Sequence, residues 1–264
     1  LWPRGETVGG SGRINGMVWV RGDPAEFDAW EHAGNTGWGS GTFARLFREI
    51  EKTDTGDDGI RGRQGPIRVT EYTPQDPLSH AFLHACESVG IARTDDYNGS
   101  SYLGAGMLQH NTAHGRRHDP ATALLDAARR LPNLRILASR RVSHVVFEGR
   151  NAVGVALAGM PEQVLRAPCV VLAAGAIGTP VLLQRSGIGD APRLQALGIQ
   201  PVHHLPGVGR NLQDHLHVRM NFRSRGVTTL NDIAHSPIAF AAAVARYALR
   251  RDGLLACATC TAHA

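Results

Sequence analysis

Residues 169–174 read CVVLAA, apolar at every position, and run straight into GAIG at 175–178. A strand with no polar alternation needs cover on both faces, as strands of a parallel sheet have. A glycine turn and a helical pattern follow it. Strand, glycine turn and helix in that order are how a doubly wound sheet delivers its ligand-binding edge. The expected fold class is therefore α/β, with a parallel sheet covered by helices.

The flanking pattern extends that reading. Residues 134–138, 142–147 and 152–158 are short runs rich in Val, Ile and Leu, and they read as a three-stranded β-meander with EGRN at 148–151 as its middle turn. Ahead of them, Asp23, Pro24 and Glu26 mark a helix start with Phe27 and Trp30 facing inward. A second helix is expected from Ser40, because Phe43, Leu46, Phe47 and Ile50 recur at helical spacing. The two should pack through Phe and Trp. A third is expected from about Asp76, carrying Leu78, Phe82, Leu83, Cys86 and Val89 and stopped by Gly90. Further helices are expected over 120–131, from about Thr179 to Gly187 with Pro180 in the first turn, over 191–197 closed by Gly198, and around 238–249. Residues 14–20 suit a buried strand or packed segment, and 53–65, mostly Gly, Asp and Arg, a surface loop.

Composition removes several function classes. A 264-residue chain that is 42% hydrophobic can bury a sizeable core without disulfide staples. The net charge of +5 is scattered in short arginine pairs with carboxylates between them, and no basic stripe interleaved with aromatics marks a nucleic-acid surface. No apolar run approaches the roughly 18–20 residues of a membrane span; residues 237–249 come nearest and contain Arg246. Of the four cysteines, Cys86 and Cys169 sit in apolar patterns and read as buried thiols. A reduced, cytoplasmic setting is expected, with a membrane-peripheral location left open. The chain opens on Leu1 and closes on Ala264 without a cap or closing strand, so it reads as cut at both ends.

Three segments stand out as candidate chemistry. VGGSGRING at 8–16 leaves backbone bare enough for a large anionic or planar ligand to approach, although an ordinary glycine turn has the same composition. The junction at Gly175 places a helix start behind a strand, where anions can bind. The stretch 207–215 gathers Asn211, Gln213, Asp214 and His215, either for chemistry or as a self-satisfied hydrogen-bonded corner. The C-x-x-C at 257–260 lacks a second pair, and His203, His204, His215 and His217 lack a metal-site helix, so no metal is expected. Neither a nucleophile elbow nor a phosphate-binding P-loop occurs.

Taken in order, these segments resemble the glucose-methanol-choline (GMC) family of flavoprotein oxidoreductases. The first family signature is similar to VGGSGRINGM at 8–17, continuing to Gly22 and on through Phe27 to Trp30. A second is similar to GAIGTPVLLQRSGIG at 175–189, and a third landmark to GVGRNLQDH at 207–215. TDDYNG at 94–99 and GRR at 115–117 fall where the family has similar strings. The resemblance implies a partial FAD-binding, Rossmann-like domain with a β-meander, plus part of a substrate-binding domain. Expected boundaries are 1–40 for a flavin-contacting segment, 41–133 for helices and loops of a substrate or cap region, 134–215 for the FAD-binding domain, and 216–264 for the start of the substrate-binding domain. By the same resemblance Val8, Ser11, Asn15, Gly16, Met17 and Val18 lie along the flavin, and Val142 meets the adenine through its backbone.

The activity so implied is FAD-dependent oxidation of a primary alcohol, a base taking the hydroxyl proton while hydride passes from carbon to flavin N5. No His stands where some members attach the flavin, so the FAD is expected to be non-covalent. The family's pyrophosphate loop precedes Leu1 and its catalytic His follows Ala264, so no catalytic residue is expected in this chain, and the piece alone is expected to be inactive and to hold FAD weakly. Gly12 replaces a common Ser, Glu6 a common basic residue, and Asp119 with Pro120 a usual Ser-Thr or Ser-Ala. The residues facing the alcohol are expected partly from the helices around Phe43 and Phe82. A small-molecule alcohol is the expected partner; the sequence names no electron acceptor. A competing reading is a non-catalytic remnant of a flavoprotein fold, and a weaker one a nicotinamide enzyme.

Overall fold

The computed structural model describes residues 2–71, 76–256, 258 and 260–264. It is mixed α/β and divides into two compact units, Leu1–Arg135 with Phe222–Ala264, and Ile136–Asn221.

In the first unit, α1 (Pro24–His32) starts where expected: the Asp23 carboxylate accepts from the Ala25 N–H at 2.9 Å and Pro24 occupies the first helical position. Helix α2 (Ser40–Ile50) is tied to it, because the Asp28 carboxylate accepts from the Ser40 N–H at 2.8 Å. Phe27 stacks on Phe43 at 4.1 Å, and Trp30 meets both rings edge-on at 5.4 and 5.8 Å. Aromatic packing thus joins the pair as the spacing predicts, although Trp30 keeps one side in solvent. Helix α3 (Pro77–Ser88) is capped by Asp76, which accepts from the Ser79 N–H at 3.0 Å, and Gly90 ends the turn at φ 87°. Its Leu83 and Cys86 form an apolar core with Ala105, flanked by Met107 and Ala262.

Short ladders organise the rest of this unit. Glu51–Lys52 pairs in parallel with Ile67–Arg68, Thr70–Glu71 pairs antiparallel with Gln109–His110, and Gly106–Met107 with Ala262–His263. Thr112–Ala113 and Arg116–Arg117 form a hairpin whose turn residues, His114 and Gly115, have φ of 50° and 68°. Two positive values are what a two-residue turn needs to match strand twist.

Three expectations for this unit are corrected. Residues 53–65 are not simply a solvated loop: Thr53, Arg61, Gly62 and Gly65 are buried, because the Arg61 charge finds two carboxylates inside the fold. Residues 14–20 are not a buried strand. Ile14 and Val20 are exposed and only Val18 forms a bridge, to His110, since Met17 at φ 62° breaks the extended chain. The helix expected over 120–131 is short, a wide-wound turn at Ala121–Leu125 running into Asp126–Ala128.

The second unit holds the meander, with one strand replaced. Strands β1 (Val142–Glu148) and β2 (Asn151–Leu157) pair around the expected turn, Glu148 opposite Asn151. The third strand is β3 (Met160–Arg166), which pairs with β2 after a bulge between Met160 and Val164. Residues 134–138 form no strand; Leu134 instead donates its N–H to the Leu131 carbonyl at 3.2 Å, closing a turn. The run 169–173 likewise forms no strand, and Val171 is 83% exposed; Cys169 is exposed where a buried thiol is expected. Among the described residues no strand lies beside this run to complete a parallel sheet.

Helix α4 (Gly175–Arg185) begins about a turn earlier than expected, so Pro180 lies within it, past the first turn. The Ser186 hydroxyl accepts from the buried Val145 N–H at 2.8 Å and donates to the Leu182 carbonyl at 2.6 Å, joining α4 to β1. Helix α5 (Ala191–Ala196) is closed at Gly198, φ 73°. Ile188–Gly189 pairs in parallel with His203–His204. Asn211, Gln213, Asp214 and His215 are all exposed, and the Asp214 carboxylate accepts from the His215 N–H at 2.9 Å.

The chain returns to the first unit through α6 (Leu230–His235), with a Thr229–Asp232 capping box, and α7 (Pro237–Arg250), capped by Ser236. Among the described residues no helix is long and apolar enough to cross a membrane. Cys257 and Thr259 of the C-x-x-C string lie outside the described residues.

Candidate functional site: the glycine-rich segment and its supports

The segment 8–18 folds as a tight turn laid on the stretch 109–121. Gly9 and Gly10 take φ of 99° and 55°, and Gly10–Arg13 winds into one narrow helical turn. A side chain at Gly9 would stand 2.9 Å from the Ala121 Cβ, and one at Gly12 would stand 3.4 Å from Pro120. Glycine here lets the turn lie flush on its support. Asn111 donates its N–H to the Met17 carbonyl at 2.9 Å.

Two arginines hold the same segment. Arg13 pairs with the fully buried Asp119 carboxylate at 3.0 Å, and Asp119 also caps the following helical turn by accepting from the Thr122 N–H at 3.0 Å. Burial alone would raise the Asp119 pKa; the Thr122 hydrogen bond and the Arg13 charge outweigh it and hold the carboxyl below the ordinary range. Arg117 donates to the Gly12 carbonyl at 3.0 Å, the Asn15 side-chain oxygen at 2.5 Å and the Asn15 carbonyl at 2.7 Å. The Asn15 side-chain oxygen also accepts from the Met17 N–H at 3.1 Å.

Beyond Val18 the chain enters a buried charge network. Glu51 accepts from the Trp19 indole N–H at 2.8 Å, Arg21 at 3.1 Å and Arg61 at 2.8 Å. Arg61 continues to Asp96 at 2.5 Å and to the Gln109 side-chain oxygen at 2.9 Å. Asn98 closes the ring, accepting from the Arg21 N–H at 2.8 Å and donating to Gln109 at 3.0 Å. Tyr97 donates to the Trp19 carbonyl at 2.8 Å, and burial pushes its phenol up to about 12. Two guanidinium groups against two carboxylates leave the cluster near neutral, the condition under which buried charge is tolerated.

Of the expected site residues, Val8, Ser11, Asn15, Gly16, Met17 and Val18 share this one segment; Ser11, Asn15 and Gly16 are exposed and the others half-buried. Val142 belongs to the second unit, where it opens β1 and lines a cavity of about 700 Å³ with the apolar run 169–174. Sequence reasoning missed Arg13, Arg117, Asp119, Arg61 and Glu51 as supports. Their partners lie 10 to 106 residues away, so no local spacing signals them. Among the described residues no three His, Cys, Asp or Glu side chains converge as metal ligands.

The GMC oxidoreductase family model matches residues 1–217, and the chain belongs to that family. Oxygen-dependent choline dehydrogenase of Brucella ovis is 42% identical over 218 residues, 82% of this chain and 40% of the relative. Pyridoxine 4-oxidase from Mesorbium loti superposes with a TM-score of 0.75 at 36% identity, covering 81% of this chain and 43% of that one. An FAD-dependent oxidoreductase from Chaetomium thermophilum reaches 0.91 at 29% identity, covering 98% and 48%. The chain therefore spans about 40% of the curated relatives it matches.

Proposed function

We propose that the protein containing this chain is an FAD-dependent oxidoreductase that oxidises a primary alcohol, with the FAD held non-covalently. The observation that carries the reading is segment 8–18, held by Arg13, Arg117 and Asn111 while Ser11, Asn15 and Gly16 stay exposed. Bare backbone beside small polar side chains fits a flat ring with polar edges, because donors can come within hydrogen-bond distance without side-chain obstruction. In this reading Val8, Ser11, Asn15, Gly16, Met17 and Val18 line the flavin and Val142 meets the adenine.

Bound there, the flavin supplies the two-electron acceptor that alcohol oxidation requires. This chain's own contribution is positioning: the supports described above keep the contact face in one shape before the cofactor arrives, which lowers the ordering cost of binding. No residue of the chain is assigned as the base that takes the hydroxyl proton. The names of the relatives point to a small alcohol as substrate, and a reduced compartment suits the unpaired, buried Cys86 thiol.

The experiment is to purify the full-length protein and add alcohols without an electron acceptor. A yellow protein whose visible absorbance bleaches on addition of a primary alcohol is expected. A colourless protein that takes up no FAD overturns the reading.

A further inference from the structure

Asn15 has one acceptor and one donor end, and the structure decides which faces the open side. Both groups that reach its side-chain oxygen are obligate donors: the Arg117 guanidinium at 2.5 Å and the Met17 N–H at 3.1 Å. An amide with its oxygen so engaged must turn its NH₂ away from them. The same guanidinium takes the Gly12 and Asn15 carbonyls at 3.0 and 2.7 Å. One side chain therefore fixes the backbone on both sides of residues 13 and 14 and sets the polarity of the Asn15 head group.

Arg117 is suited to this because its own base is stiff. It ends a two-residue hairpin whose turn needs a glycine: a Cβ on Gly115 would stand 2.0 Å from the Arg251 carbonyl oxygen. The Gly115 carbonyl in turn accepts from the Tyr247 hydroxyl at 3.1 Å. A planar fork on a rigid strand can hold three acceptors at once, which a lysine ammonium on a flexible stem cannot match in geometry.

We propose that Arg117 is a positioning residue for the flavin site: it holds Asn15 with its amide NH₂ presented as a hydrogen-bond donor to a polar edge of the isoalloxazine ring. The proposal rests on the flavin reading given above. It assigns Arg117 no contact with cofactor or substrate; its effect passes through Asn15.

The test compares the full-length wild type with Arg117→Met and Asn15→Asp, and uses Arg117→Ala for chemical rescue. Asn15→Asp keeps an acceptor for Arg117, now as an ion pair, but removes the outward donor. FAD affinity, the visible flavin spectrum and the melting temperature of the apoprotein are measured for each. Both variants are expected to bind FAD about ten-fold more weakly, the effect of one lost hydrogen bond to the ligand, with a shifted spectrum. Asn15→Asp should do so with an unchanged or higher apoprotein melting temperature. In Arg117→Ala, millimolar ethylguanidinium should restore part of the affinity, which a general loss of folding would not allow. Wild-type FAD affinity and spectrum in Asn15→Asp overturn the proposal even if Arg117→Met is weakened, and so does Arg117→Met binding like wild type. A wild-type protein that binds no FAD defeats the flavin reading itself, a result separable from either of these.

Discussion

Replacing Arg61 by Met should loosen the end of the glycine-rich segment more than any surface change nearby. The Arg61 side chain is fully buried and donates to Glu51, Asp96 and Gln109. Methionine fills similar space but leaves the fully buried Glu51 carboxylate with Arg21 as its one cation among the described residues. Removing one partner of a buried pair costs about 3–5 kcal/mol, mostly for the charge left behind. Glu51 also holds the Trp19 indole, and Asn98 and Tyr97 hold the Trp19 and Arg21 backbone, so the loss should appear locally. Peptide-level hydrogen exchange across residues 15–21 of the full-length protein is the assay. A change of that size accelerates exchange roughly a hundred- to several-thousand-fold where exchange follows the opening equilibrium. Arg61→Lys, which keeps the charge but not the fork, should lie between the two. Acceleration below about ten-fold in Arg61→Met, equal to about 1.4 kcal/mol, would show that the network does not brace this segment.

Gly9→Ala forces a Cβ into φ 99° and to 2.9 Å from Ala121; left-handed backbone alone costs roughly 1–2 kcal/mol, so a lower melting temperature and weaker FAD binding are expected together. Because the folded-state pKa of Asp119 is depressed, its ion pair and cap stabilise above its unfolded pKa, and that stability is lost as pH falls through the folded value. Urea midpoints measured downward from about pH 5 should therefore fall less steeply in Asp119→Asn than in wild type. Ser186→Ala leaves the buried Val145 N–H without its acceptor and should destabilise the second unit by about 1–3 kcal/mol, read as faster exchange in residues 142–148.

Local signals proved readable where the chain itself carries the partner. The caps at Asp23 and Asp76, the aromatic spacing of α1 and α2, the turn between β1 and β2, and the stops at Gly90 and Gly198 each depend on neighbours a few residues away. Strands 134–138 and 169–173 failed for the opposite reason. Apolar β-branched runs report a preference for pairing, but a strand exists only where a second one accepts its hydrogen bonds. Conversely β3, a stretch with a proline and charges to which the sequence patterns assigned no element, is made a strand by β2. The candidate segment 8–18 was visible as glycines and small polar residues. Its supports were not, because Arg61 in a polar loop looks solvated until Glu51 and Asp96 are brought to it, and Arg117 looks like any surface arginine until the hairpin aims it at Asn15.

The central claim is that segment 8–18 is the surface on which the cofactor lies, and the most direct measurement compares its hydrogen exchange with and without FAD. Full-length apoprotein is reconstituted with FAD and exchange is followed peptide by peptide. Slowed exchange over residues 8–18, with Asn15→Asp reducing the effect, is the predicted result. FAD that binds and restores colour while exchange over 8–18 stays as in the apoprotein would contradict it.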